Sequence, residues 1–434
     1  MHTFTLYNGL RCVVSRRAES AMALVDVLYD VGSRDERPDL TGMAHLFEHL
    51  MFGGSANVPS FDGELEAAGG ESNAWTNTDF TNFYDYLPAR NLATALHLES
   101  DRMLALSFRE TTLEVQRSVV IEEFKQTHLN APYGDLGHHL RRLVYDGAHP
   151  YSWPTIGKEP EHIARVTMAD VRSWFYSHYA PNNAILSIVA PQPEAEIEAM
   201  VREWFAGIPR REIAPRRLPD PGFPKAETTE FVSGDVPAVR VVVAYPMAPY
   251  GSEEYFAADT ITDLLGYGRS CRFFRQLLNG PHAGFFTEAD ACIYGCEEPG
   301  VLMLTGTLAP QFSSDNDAAR AVGLLTDEFA RLSDPGDISG HELQRVMNNF
   351  EATQRFAALS PYEEALRNAQ ALYHGETPDQ AIRERLRLTP ASLASAAATI
   401  VARPRAILIY GNNVGTHEPC VPTFRGFATF PYQR

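Results

Sequence analysis

The sequence predicts an α+β protein built from two related halves, and three observations carry that expectation. The chain has 434 residues, of which 44% are hydrophobic; that is too long for one core and rich enough to fill two. Segments with apolar residues at alternate positions are interleaved with segments of helical period. After a proline-rich stretch in the middle, the order starts again with a strand, a helix and a glycine-rich break. The expected division is a first domain over 1–207, a linker over 208–228 and a second domain over 229–434.

Phe4 to Tyr7 and Arg11 to Ser15 read as a hairpin, because Asn8-Gly9 between them favours a type I′ turn. Met22 to Val31 is a strand. Pro38-Asp39-Leu40-Thr41 signals a helix start, with Thr41 or Asp39 as the N-cap, and this helix stops near Gly53-Gly54. Ser60 to Ala68 is an amphipathic helix. Ser72 to Thr78 and Thr81 to Leu87, rich in Thr, Trp, Phe and Tyr, form a pair of strands. Helices follow at Asn91 to Leu106 and from Arg109 to about Leu129, then a strand at Ala184 to Val189 and a helix at Glu194 to Ala206. Residues 208–225 carry five prolines and five basic residues, the composition of a linker. The second half offers strands at Val239 to Tyr245, Phe286 to Tyr294, Gly300 to Leu308 and Ala406 to Gly411. Its helices are expected at Phe256 to Leu265, Ala318 to Arg331, Ser339 to Leu359 and Ser360 to Leu372.

Composition excludes some functions. A formal charge of −18 argues against binding nucleic acid through its phosphates and permits basic or unfolded peptide partners. No apolar run reaches the roughly 18 residues that cross a bilayer, so no membrane role is expected. The amino end has neither a basic region nor an apolar signal core, which points to the cytoplasm, or to the periplasm if a signal peptide has been removed. Five cysteines, Cys12, Cys271, Cys292, Cys296 and Cys420, are odd in number and scattered, so buried free thiols are expected, including Cys292 and Cys296.

The chemistry concentrates on Met43 to Phe52. In a helix, Glu48 lies three positions and His49 four positions after His45, so two imidazoles and a carboxylate share one face. This is the His-x-x-Glu-His pattern, in which histidines bind zinc and the glutamate acts as general base. Such a site needs another protein ligand. Glu122 and Glu123 both qualify: each is flanked by Val119, Val120, Ile121 and Phe124, and Glu123 shares the valine face somewhat better. His138 and His139 look like a metal pair but point about 100° apart on a helix, and a solvated helix is the expectation there.

These residues, with Gly69-Gly70-x-x-Asn73-Ala74-x-Thr76, Leu98 to Met103, His149-Pro150-Tyr151 to Gly157, and Phe175-Tyr176 to Ala184, resemble the pitrilysin (inverzincin) family of zinc metallopeptidases, in its shorter two-domain type. The resemblance implies two α/β-sandwich domains, each a mostly antiparallel sheet with helices packed on it. It implies that His45, His49 and Glu123 bind one zinc ion and that Glu48 is the catalytic base. It also implies that Ser72 to Thr78 is a sheet edge onto which a peptide substrate adds as a strand, with Asn73, Ala74 and Trp75 as substrate-binding residues. Where the family often has a second glutamate seven positions before the ligand, Gln116 stands here. In the second half, Asp259, Thr262 and Asp263 fall opposite His45, Glu48 and His49 and do not make a zinc site. Arg275 falls at a family substrate-binding arginine, but its companion tyrosine is replaced by His282, Phe285 or Phe286. The implied enzyme is a zinc metalloendopeptidase acting on extended peptides, as a homodimer or heterodimer with another chain of the family. The alternative is a non-catalytic structural or peptide-holding subunit.

Overall fold

The computed structural model describes residues 1–295, 297–412 and 414–415. Strands β1 (His2–Thr5), β2 (Arg11–Arg16) and β3 (Met22–Tyr29) lead into α1 (Met43–Leu50) and α2 (Phe61–Ala67). Then come β4 (Glu71–Thr76), β5 (Thr81–Pro88), α3 (Leu92–Leu104), α4 (Glu110–Phe124) and α5 (Leu136–Val144). Short α6 (Pro160–Ala164), α7 (Met168–His178), β6 (Ala184–Ala190) and α8 (Glu194–Phe205) complete the first half. The second half comprises β7 (Thr228–Ser233), β8 (Arg240–Met247), α9 (Glu253–Gly266), β9 (Phe286–Tyr294), β10 (Gly300–Leu308), α10 (Asp315–Arg331), α11 (Gly340–Ala357), α12 (Pro361–His374), α13 (Gln380–Leu386), α14 (Pro390–Val401) and β11 (Ala406–Gly411).

The duplication is visible in strand order. The first sheet runs β1-β2-β6-β3-β5-β4 and the second β7-β11-β8-β10-β9. Removing β1 makes the two orders correspond strand for strand, in chain order and in sense. β2 pairs β6 in parallel as β7 pairs β11, and every other neighbouring pair is antiparallel. By this correspondence α9 stands where α1 stands, and edge strand β9 where edge strand β4 stands.

Each sheet packs its inner face against its own helices, which gives two large cores. One joins Val25, Val27 and Tyr29 to Leu46, Phe47 and Phe175; the other joins Val241, Val243 and Tyr245 to Ile261, Leu264 and Leu325. The outer faces are covered by exchange. Helix α12 of the second half lies on β3 and β6, with Ala365 and Ala369 against Leu24, Val189, Leu28 and Ile185. Helix α5 of the first half lies on β11 and β8, with Leu140 and Val144 against Val242, Ala244 and Leu408.

Several expectations are corrected. The first hairpin pairs Thr5 with Arg11 across a five-residue loop. Gly9 alone of the two turn residues has positive φ, so the loop is not type I′, which needs both. Asn8 is instead buried and donates to the carbonyls of Phe205 and Ile208. The proline-rich stretch between the halves is pinned to the first: Arg211 donates to the carbonyls of Tyr179, Met103 and Leu104, and Arg216 pairs with Asp30 and Asp35. The helix carrying His138 and His139 is not a solvated one, since it is α5, and His139 pairs with Glu230. Cys12 and Cys271 are buried thiols, but Cys292 is exposed on edge strand β9; Cys296 and Cys420 lie outside the described residues.

Candidate metal centre

Helix α1 is two turns long and does not begin as expected. Its N-cap is Gly42, at φ +86°, which supplies no capping side chain. A Cβ there would come within 2.6 Å of the Ile156 carbonyl oxygen, so both the backbone angle and the packing require glycine. Thr41 instead holds His162 Nδ1, at 2.8 Å, and Asp39 pairs with Arg37. The capping group comes from further back in the chain: Glu36 accepts from the backbone N–H of Gly42 at 3.0 Å and of Ala44 at 2.9 Å, and from Trp153 Nε1 at 3.0 Å. Burial pushes its pKa up to about 8, against the pull of the Ala44, Gly42 and Trp153 N–H groups.

Buried Met43, Ala44, Leu46, Phe47 and Leu50 fix α1 on the core and turn His45, Glu48 and His49 outward together. The imidazoles of His45 and His49 stand edge to face, ring centres 4.9 Å apart. Helix α4, anchored by Leu113, Val120 and Phe124, brings Glu123 across: its Oε2 lies 3.7 Å from Nε2 of each histidine. Glu122 turns away to pair with Lys125 at 2.5 Å, which decides between the adjacent glutamates. Among the described residues, His45, His49 and Glu123 form the one cluster of three metal-ligating side chains, their donor atoms within 4.8 Å of one another.

The donor set fits zinc. Two imidazole nitrogens and one carboxylate oxygen match a site that leaves a fourth position open. Tetrahedral zinc with bonds of about 2.0–2.1 Å spaces its ligand atoms about 3.3 Å apart, so the two histidine–Glu123 separations of 3.7 Å require only a few tenths of an ångström of closure. Burial, reinforced by neighbouring His49, lowers the pKa of His45 to about 4, which keeps its imidazole in the neutral form that ligates metal.

Glu48 is held from the side of the edge strand. Thr76 Oγ1 donates to its Oε2 at 2.5 Å, leaving Oε1 free to take a proton. Burial raises its pKa, outweighing the Thr76 hydrogen bond and the nearby His49. The alternation of β4 places Ala74 and Thr76 on one face and Asn73 and Trp75 on the other. Asn73 Oδ1 accepts from the Ala74 N–H at 2.8 Å. The Trp75 side chain faces away from Glu48 and donates to Tyr362 of α12 at 2.7 Å.

Sequence reasoning named His45, His49, Glu123 and Glu48 but gave no role to Thr76 or Glu36. Alternation along β4 would have found Thr76; Glu36 carries no local signal. Arg275 is not brought to the trio: its guanidinium pairs with Glu342 of α11 at 3.1 Å. Phe285 and Phe286 are buried in the second core.

Among the described residues the second half has no such cluster, and α9 shows why. Asp259 and Asp263 project from α9 at the spacing of His45 and His49, and between them lies the guanidinium of Arg385 from α13. Arg385 is 2% exposed, 2.5 Å from Asp259 and in contact with Asp263. A built-in cation sits between the two aspartates that correspond to His45 and His49.

Residues 11–145 match the profile of the insulinase (Peptidase family M16) domain, and residues 165–350 that of the peptidase M16 inactive domain. The zinc protease PqqE of Helicobacter pylori is 31% identical over 283 residues, 63% of each chain. The probable mitochondrial-processing peptidase subunit beta of Arabidopsis thaliana is 24% identical over 267 residues, 60% of this chain and 50% of that one. The first of these matches, like the second, spans less than two thirds of the relative's length. The crystal structure of a protease from Helicobacter pylori superposes with a TM-score of 0.84 at 24% identity, covering 94% of this chain and 99% of that one. The paired sheets, the His-His-Glu cluster and the two profiles together place this chain in the insulinase (M16) peptidase family.

Proposed function

We propose that the chain is a zinc-dependent endopeptidase that cleaves extended or unfolded peptides. The observation that carries the proposal is the convergence of His45, His49 and Glu123 beside Glu48, itself held by Thr76. Zinc bound by the trio would supply Lewis acidity, polarising the scissile carbonyl and acidifying water. Glu48 takes the proton of the attacking water at Oε1 and delivers it to the leaving amide nitrogen. The open edge of β4 would receive the substrate backbone as an added strand, giving loose sequence preference, with Asn73 and Ala74 at the point of contact.

The second half offers no tyrosyl hydroxyl at the Phe285 and Phe286 positions, and Arg275 is engaged with Glu342. The catalytic chain is therefore proposed to work in a dimer, with another family chain completing the substrate site. Cleavage of an unstructured peptide by the purified chain, with zinc, is the test. Glu48→Gln is expected to keep zinc and lose about 10²–10⁴-fold in kcat. Turnover unaffected by Glu48→Gln contradicts the proposed base. Turnover by neither the chain nor its dimer, with zinc bound, favours a peptide-holding subunit.

A further inference from the structure

We propose that Glu36 is a positioning residue for the metal centre, fixing the first turn of α1 so that His45 meets His49 and Glu123; the inference rests on the zinc reading above. An eight-residue helix is marginal in isolation and frays from its ends, and α1 has no side-chain cap of its own at Gly42. The two ligands on α1 are unequally exposed to fraying. His45 is the third residue of the helix, inside the first turn, whereas His49 lies in the second. Loss of order at the N-terminus would displace one imidazole and leave the other.

Glu36 meets that need from outside the helix. It is 7% exposed, and each group it bonds is an N–H donor: Gly42 and Trp153 on Oε2, Ala44 on Oε1. Both oxygens therefore accept, and in its ionised form the group also complements the helix dipole. The anchor is itself anchored. Trp153 is 1% exposed, with the Lys158 ammonium 4.4 Å from its ring centre, and it belongs to the segment that crowds Gly42 through Ile156. One side chain thus ties the metal helix to the 150–158 segment, one residue short of a metal ligand.

The experiment compares wild type, Glu36→Gln and Glu36→Asp as full-length chains. Zinc affinity is read by competition with a chromophoric chelator, geometry by the visible spectrum of the cobalt-substituted chain, and turnover by peptide cleavage. Glu36→Gln keeps one acceptor and turns an amide NH₂ towards a backbone N–H. It is expected to weaken zinc binding about 10–100-fold, alter the cobalt spectrum, and lower kcat with little change in KM. Glu36→Asp, which keeps both oxygens one methylene further back, is expected to fall between Gln and wild type. It serves as the test if Glu36→Gln does not fold. Wild-type zinc affinity and cobalt spectrum in the folded variants would overturn the inference, even if their melting temperatures fall. Failure of the wild-type chain to bind zinc would instead overturn the functional reading.

Discussion

The proposed role of Glu48 requires its carboxylate to be held beside the metal site, and the hydrogen bond from Thr76 is the contact that holds it. Thr76→Val keeps the shape of the side chain and removes the donor. It is expected to lower kcat about tenfold, since it costs one hydrogen bond to a charged group, while zinc content is unchanged; an unchanged kcat contradicts this role. His45, Glu48 and His49 were legible in the sequence because one helix carries all three at fixed angles. The choice between Glu122 and Glu123 came only from the family resemblance and not from the residues themselves, because it depends on how α4 sits against α1. Thr76 and Glu36 were missed for a related reason: each acts on α1 from a distance, Thr76 across 28 positions and Glu36 across a left-handed Gly42.

Among the elements, those with local signals were read best. Strands β9, β10 and β11 have the expected bounds, and Ser60, Ser339 and Ser360 cap α2, α11 and α12. Strand β7, α13 and α14 were not anticipated. The polar residues and half-exposed alternation of β7 resemble a loop until β11 pairs with it. Helix α13 was unreadable because its purpose, delivering Arg385 to Asp259 and Asp263, lies 122 or more positions away. Breaking a buried ion pair costs about 3–5 kcal/mol; both aspartates keep part of their surface in water, which places Arg385→Met below that range, at about 2–3 kcal/mol. Urea denaturation measures this, and unchanged stability with unchanged zinc content contradicts the internal-cation account. A pH effect belongs to β3. Burial raises Asp26 to about 8 from an ordinary value of 3.8, against a hydrogen bond from Asn82. Its folded pKa is the higher one, so its contribution is full below 3.8 and is lost as pH rises through 8. Asp26→Asn is therefore expected to raise the Tm more at pH 8 than at pH 5, and equal shifts at both contradict it.

On the scale of the whole molecule, the two halves are bound by exchange: α12 closes the outer face of the first sheet and α5 that of the second. The duplication was legible from the repeated strand, helix and glycine break, but the exchange was not, because α5 and α12 have the amphipathic pattern of helices packed on any sheet. Residues 1–207 expressed alone should expose Leu24, Leu28, Ile185 and Val189 and aggregate. Co-expression with residues 208–434 should restore a soluble complex on size-exclusion chromatography; a stable, monodisperse 1–207 fragment contradicts this. The same arrangement gives the proposed metal site to one half, with His45, His49 and Glu123 in the first and Arg385 seated between two aspartates in the second. Metal analysis of the purified chain beside His49→Ala and Glu123→Gln tests that claim most directly. The expected result is one zinc per chain in the wild type and almost none in either variant. A wild-type chain without zinc, or full zinc retention in both variants, would contradict it.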